Sequence, residues 1–173
     1  MVLLLIALTG WGTYAFDTLF GADVATERQQ IAYTEDVLST FQLSPGYRAY
    51  TDLATALKPW WDEIRPIQTS ILETGDDARK AELIAARDQS LITFLKARDL
   101  TAPADSLIRS FARFSRCLDT DLCHRDLLRR SIEIDVKLIY RTFRPYIRAV
   151  RERGGVERSF GRGLETLYYD LVG

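Results

Sequence analysis

Residues 128–150 read LRRSIEIDVKLIYRTFRPYIRAV, and this stretch decides the fold. Its apolar positions Leu128, Ile132, Val136, Ile139, Phe143, Ile147 and Val150 recur at spacings of 4, 4, 3, 4, 4 and 3. That is one face of an α-helix about 35 Å long. Arg129, Arg130, Lys137, Arg141, Arg144 and Arg148 occupy other positions, and Arg151 follows. The stripe continues past Pro145, which predicts a kink there rather than a stop. Gly154-Gly155 ends the helix.

The same periodicity extends outward on both sides. Upstream, Thr101-Ala102-Pro103 opens a helix with Thr101 as cap and a stripe of Leu107, Phe111, Phe114 and Leu118. Asp76-Asp77 starts another, over 78–98, with Ile84, Leu91 and Leu95 on one side. A stretch beginning near Tyr47 contains Pro59 and Pro66. A break is expected near Pro59 and a fresh turn from Pro66 to Glu73. The first helix runs over 24–42 with Ile31, Leu38 and Phe41 inward, and stops before the turn Ser44-Pro45-Gly46. Downstream, a short helix over 163–171 carries Leu164, Leu167, Tyr168 and Leu171. No period-two alternation marks a strand. The expected fold is all-α, an N-terminal membrane helix followed by an antiparallel bundle of about five helices.

Met1 to Phe16, MVLLLIALTGWGTYAF, carries no charged side chain. Counted through Ala22, a helix there rises about 33 Å, enough for a bilayer core of roughly 30 Å. Residues 1–22 are therefore expected to be a transmembrane anchor and 23–173 a helical domain. A cleaved signal sequence and a buried core helix are the alternatives, though a signal lacks its basic leading region. The flank after the segment carries Asp17, Asp23 and Glu27 before its first basic residue, Arg28. Cytoplasmic flanks favour Lys and Arg, so the domain is expected to face away from the cytoplasm.

The 173 residues hold 23 basic and 24 acidic side chains and one histidine, His124. That balance argues against a general polyanion binder, and nucleic acid is not an expected partner. One histidine excludes H-E-x-x-H zinc sites and paired E-x-x-H di-iron bundles. Phosphate-loop, dinucleotide-fold and nucleophile-elbow strings are absent. No catalytic residue, metal or cofactor is called. The near-neutral total hides a split. Residues 1–106 carry a net −6 and residues 107–173 a net +5. The simplest account is a bundle whose halves neutralise each other. The competing account is an arginine face of the long helix, at Arg141, Arg144 and Arg148, held open for an acidic partner or anionic lipid. Trp60-Trp61 is read as a core indole beside a half-exposed one, and as a second candidate contact surface.

The two cysteines, Cys117 and Cys123, lie in CLDTDLC, directly before His124. Six residues of helix would hold them about 9 Å apart, too far to bridge. A turn at Asp119-Thr120-Asp121 brings them together, and a disulfide would then clip the helical hairpin. Two buried thiols remain an alternative. A metal site using Asp119 or Asp121 with His124 is disfavoured, because neighbouring ligands on a starting helix point about 100° apart. His124 is expected as a first-turn surface residue near a cap formed by Thr120 or Asp121.

Phe111 and Phe114, the acids of 119–121, and Phe143-Arg144-Pro145-Tyr146-Ile147 resemble a family of small membrane-anchored helical bacterial proteins known only as a domain of unknown function. The resemblance spans residues 111–153 and implies a membrane helix followed by a helical domain, with no activity attached. Together these features point to an interaction or accessory domain in the bacterial inner membrane, single-pass, with its C-terminal domain on the periplasmic side. Its partners would be the membrane and a protein. A pocket inside the bundle for a cofactor or small molecule, or a surface for anionic lipid, are the alternatives.

Overall fold

The computed structural model describes residues 26–173, so the expected anchor at 1–22 lies outside the described residues. No described helix is long and apolar enough to cross a membrane. The described chain is all-α. Helix α1 covers 26–42, α2 Pro45–Ala56, α3 Lys58–Glu73 and α4 Asp77–Ala97. Then come α5 Thr101–Ser110, α6 Ala112–Asp119, α7 Arg125–Glu152, a 3-10 turn Gly155–Ser159 and α8 Arg162–Leu171.

All seven stripe residues of α7 are buried, from Leu128 to Val150. Around them gather Leu91 and Leu95 of α4, Leu107, Phe111, Phe114 and Leu118, and Leu164, Leu167 and Leu171 of α8. Burying such side chains is worth about 1.5–3 kcal/mol each, which makes α7 the spine of the bundle. Phe41 of α1 stacks against Phe111 and Phe114 at centroid distances of 5.4 and 4.9 Å. Two crossings depend on a missing side chain. A Cβ on Gly46 would lie 2.5 Å from the Ser110 Cβ, and one on Gly163 would lie 2.5 Å from the Ala112 Cα. The starts of α2 and α8 therefore approach α5 and α6 more closely than any other residue permits.

The expected five helices are resolved further. The break expected near Pro59 is present: the second stretch divides at Leu57, and Pro59 sits in the first turn of α3. Pro66 lies inside α3 and does not restart it. It removes the bond that residue 66 would give the Asp62 carbonyl. Both residues are exposed, so water can serve that carbonyl. The 101–118 stretch divides at Phe111. Thr101 is not the cap of α5. Leu100 holds that position without a side-chain cap, after Asp99 takes a left-handed φ of 53°. The Asp76 cap of α4 is present, accepting from the amides of Ala78 and Arg79. Helix α7 runs through Pro145 to Glu152, and Gly154 follows with a φ of 81°.

Candidate functional site

Helix α7 carries a second apolar pair outside its buried stripe. Ile134 and Leu138 stand four residues apart, 82% and 50% exposed. Opposite them on α3 stands Trp61, 36% exposed, beside Trp60 at 3%. The Trp60 indole N–H donates to Ser90 Oγ of α4 at 3.0 Å, which anchors that ring between α3 and α4. The two indoles meet edge to face with centroids 4.8 Å apart, so the buried ring positions the exposed one.

Between these walls lies an open cleft of about 550 Å³. Trp60 and Leu91 line it together with Thr142 and Pro145, and Gln68, Lys137 and Arg141 add polar groups. A smaller cleft of about 140 Å³ adjoins it and shares Trp61, Leu138 and Thr142. Its lining reaches core residues Leu53, Leu107 and Phe143. The floor of this seam, where α2 and α3 face α7, is made of core side chains that are themselves buried, Leu53, Leu107 and Phe143 among them. Pro145 adds a further feature: it has no N–H, so the Arg141 carbonyl loses its regular helical donor in the cleft wall.

The charges at the rim are uneven. Arg87 and Asp88 form a half-buried pair at 2.6 Å. Asp135 accepts from the Tyr50 hydroxyl at 2.9 Å. Burial, with that carboxylate beside it, pushes the Tyr50 pKa up to about 12. Lys137 and Arg141 have no carboxylate within ion-pair distance among the described residues. No Arg–carboxylate ion pair joins the two halves among the described residues. Their Arg–carboxylate pairs join residues of the same half, from Arg65–Asp62 to Arg151–Glu165. Only His124 and Glu27, 3.5 Å apart, reach across.

The sequence-level candidates therefore separate. Trp60, Trp61 and Arg141 come together in one cleft. Arg144 and Arg148 are exposed further along α7 and do not line it. Arg144 lies close enough to Glu165 of α8 to influence its ionisation. Burial alone would raise that carboxyl, but Arg151 at 2.8 Å outweighs it and the pKa is lowered. Ile134, Leu138 and Lys137 were missed, although the off-stripe pair at 134 and 138 is visible in the sequence as a signal.

Cys117 and Cys123 form a disulfide with Cα atoms 5.4 Å apart. Both thiols are consumed, which removes them as metal-binding thiolates. No described cluster of His, Cys, Asp and Glu is arranged to hold a metal ion. Asp121 makes the turn with a φ of 55°. His124 is itself the cap of α7, not a surface residue beside one. Its Nδ1 accepts from the Leu127 amide at 3.3 Å. Its own amide donates to Thr34 Oγ1 of α1 at 2.8 Å, while that hydroxyl donates to the Gln30 carbonyl at 2.7 Å. Gln30 Nε2 donates to the Asp121 carbonyl at 2.9 Å. The disulfide loop thus grips α1 through polar contacts, and Thr34 is fully buried there.

No family model, characterised protein or solved structure matches this chain. The cleft and the disulfide clasp are therefore interpreted from their own chemistry.

Proposed function

We propose that this chain is a membrane-tethered helical interaction domain of a bacterial membrane system, akin to the small anchored proteins it resembles, and that it works through protein contacts. One observation carries this reading: the seam between α3 and α7 leaves Trp61, Ile134 and Leu138 exposed around a cleft floored by buried core residues. Apolar side chains gathered on a groove with unpaired cations at its rim are a common signature of a contact surface. The uncharged run at 1–16 supports the tether, and the disulfide supports an oxidising compartment such as the periplasm.

The test is site-specific photo-crosslinking in intact cells. A photoreactive residue at position 138 should give a discrete protein adduct. The same residue at the exposed Leu72 of α3 should give none. Equal labelling from both positions would refute the contact surface. A small-molecule ligand in the same cleft is the second reading, favoured by a volume within the range of roughly 300–1,000 Å³ typical of such sites. Native mass spectrometry of the purified full chain showing a stoichiometric small adduct, lost in Trp61→Ala, would move that reading to first place.

A further inference from the structure

We infer that the occupant of the cleft is an acidic amphipathic α-helix of a partner protein, lying along α7. The inference rests on the cleft being the contact surface. Three features select a helix. The walls are themselves helices, whose internal backbone N–H and C=O groups are paired within each element, the Arg141 carbonyl opposite Pro145 excepted. An extended peptide would find no strand edge to bond to and would bury its own backbone unsatisfied. A helix brings its backbone bonds with it. The second feature is length. From Ile134 to Pro145 the α7 wall spans twelve residues, about 16 Å or three helical turns. That accommodates apolar anchors at i, i+3 or i+4, and i+7. The third is breadth. Ile134 and Leu138 stand on one wall and Trp61 on the other, all exposed. An acyl chain threading the floor would leave Ile134 in water, whereas a helix about 10 Å across covers both walls.

The charge follows from the rim. Lys137 and Arg141 are exposed, four residues apart on α7, and unpaired among the described residues. Arg87 is neutralised by Asp88. The matching helix places two carboxylates four residues apart on the flank that meets α7.

The test pans an unbiased displayed library of peptides, about 18 residues long to span three turns with frayed ends, against the full chain in nanodiscs. A double variant, Ile134→Asp with Leu138→Asp, removes binders that use other surfaces. These exposed positions should tolerate the change, and circular dichroism of the variant checks that it folds. The inference expects enriched peptides with helical apolar spacing and paired acids. It also expects them to gain helicity on binding and to bind about tenfold more weakly to Lys137→Glu with Arg141→Glu. Exchanging the peptide acids for lysines should restore binding to that charge-reversed variant.

Cleft-dependent binders that are proline-rich, extended or basic would overturn the helix while leaving the contact surface intact. So would a concentration-dependent dimer abolished by the Asp variant. An acyl lipid bound in native mass spectrometry and lost from that variant would overturn the helix and the protein-contact reading together. The absence of any cleft-dependent binder would overturn the contact surface as well.

Discussion

Helix α7 presents two apolar faces, and they differ in what covers them. The stripe from Leu128 to Val150 is sealed by α4, by Phe111 and Phe114, and by α8. The pair Ile134 and Leu138 looks across an open cleft toward Trp61. Both faces are made of the same kinds of residue on one continuous helix. What distinguishes them is the neighbour: α8 and the α5–α6 segment close one side, while α2 and α3 stop short on the other. The sealed face carries the energy of the fold. The open face leaves Ile134 and Leu138 exposed to solvent.

The sharpest way to break this comparison is a matched pair of truncations. Leu128→Ala removes a fully buried side chain and should cost about 2–5 kcal/mol in urea unfolding of the full chain. Ile134→Ala, six residues along, should fall within about 0.5 kcal/mol of the parent. A large loss at Ile134 would mean that the open face is structural. The disulfide belongs to the sealed side. Replacing Cys117 and Cys123 together with alanine should cost about 2 kcal/mol, since a six-residue separation closes only a small loop. A value near zero would show that Thr34 and Gln30 hold the loop unaided. Thr34→Val keeps the shape and removes the acceptor for the His124 amide. Its expected cost is about 1–3 kcal/mol, with Thr34→Ser recovering most of it.

How much of this was legible follows from where the signal resides. The α7 stripe declared itself because seven residues on one face must repeat with the helical period, and each is buried. The division at Phe111 did not, because the spacing of Leu107, Phe111, Phe114 and Leu118 passes through it unchanged. Pro66 misled because a proline on an exposed helix face harms little when water can serve the freed carbonyl. The disulfide was legible as a choice between two states, and the turn at Asp121 decides it. Trp60, Trp61 and Arg141 were legible as types but not as one site. Nothing local links residue 61 to residue 138; only the placement of α3 against α7 joins them.

The smallest effect expected near neutrality is that of pH, and it separates ordinary pH from the alkaline limb. Tyr50, Tyr140 and Tyr146 donate to Asp135, Glu165 and Asp105. Burial and these carboxylates raise all three hydroxyls above the usual 10.0. A raised folded-state value gives stability that is whole below pH 10 and lost as pH climbs toward 12. Urea midpoints should be level from about pH 7 to 9 and fall above about 10. Tyr146→Phe should flatten that decline. An unchanged slope would remove Tyr146 from its cause.

Thr34 and Gln30 do more than hold a loop. They key the first helix to the spine as a pin keys a shaft, fixing its rotation as well as its position. Each residue of an α-helix turns the chain by about 100°. Gln30 and Thr34 stand one turn apart on α1, so both face the disulfide loop. One alanine inserted between them would swing one grip about 100° from the other, and the loop could then hold only one of the two.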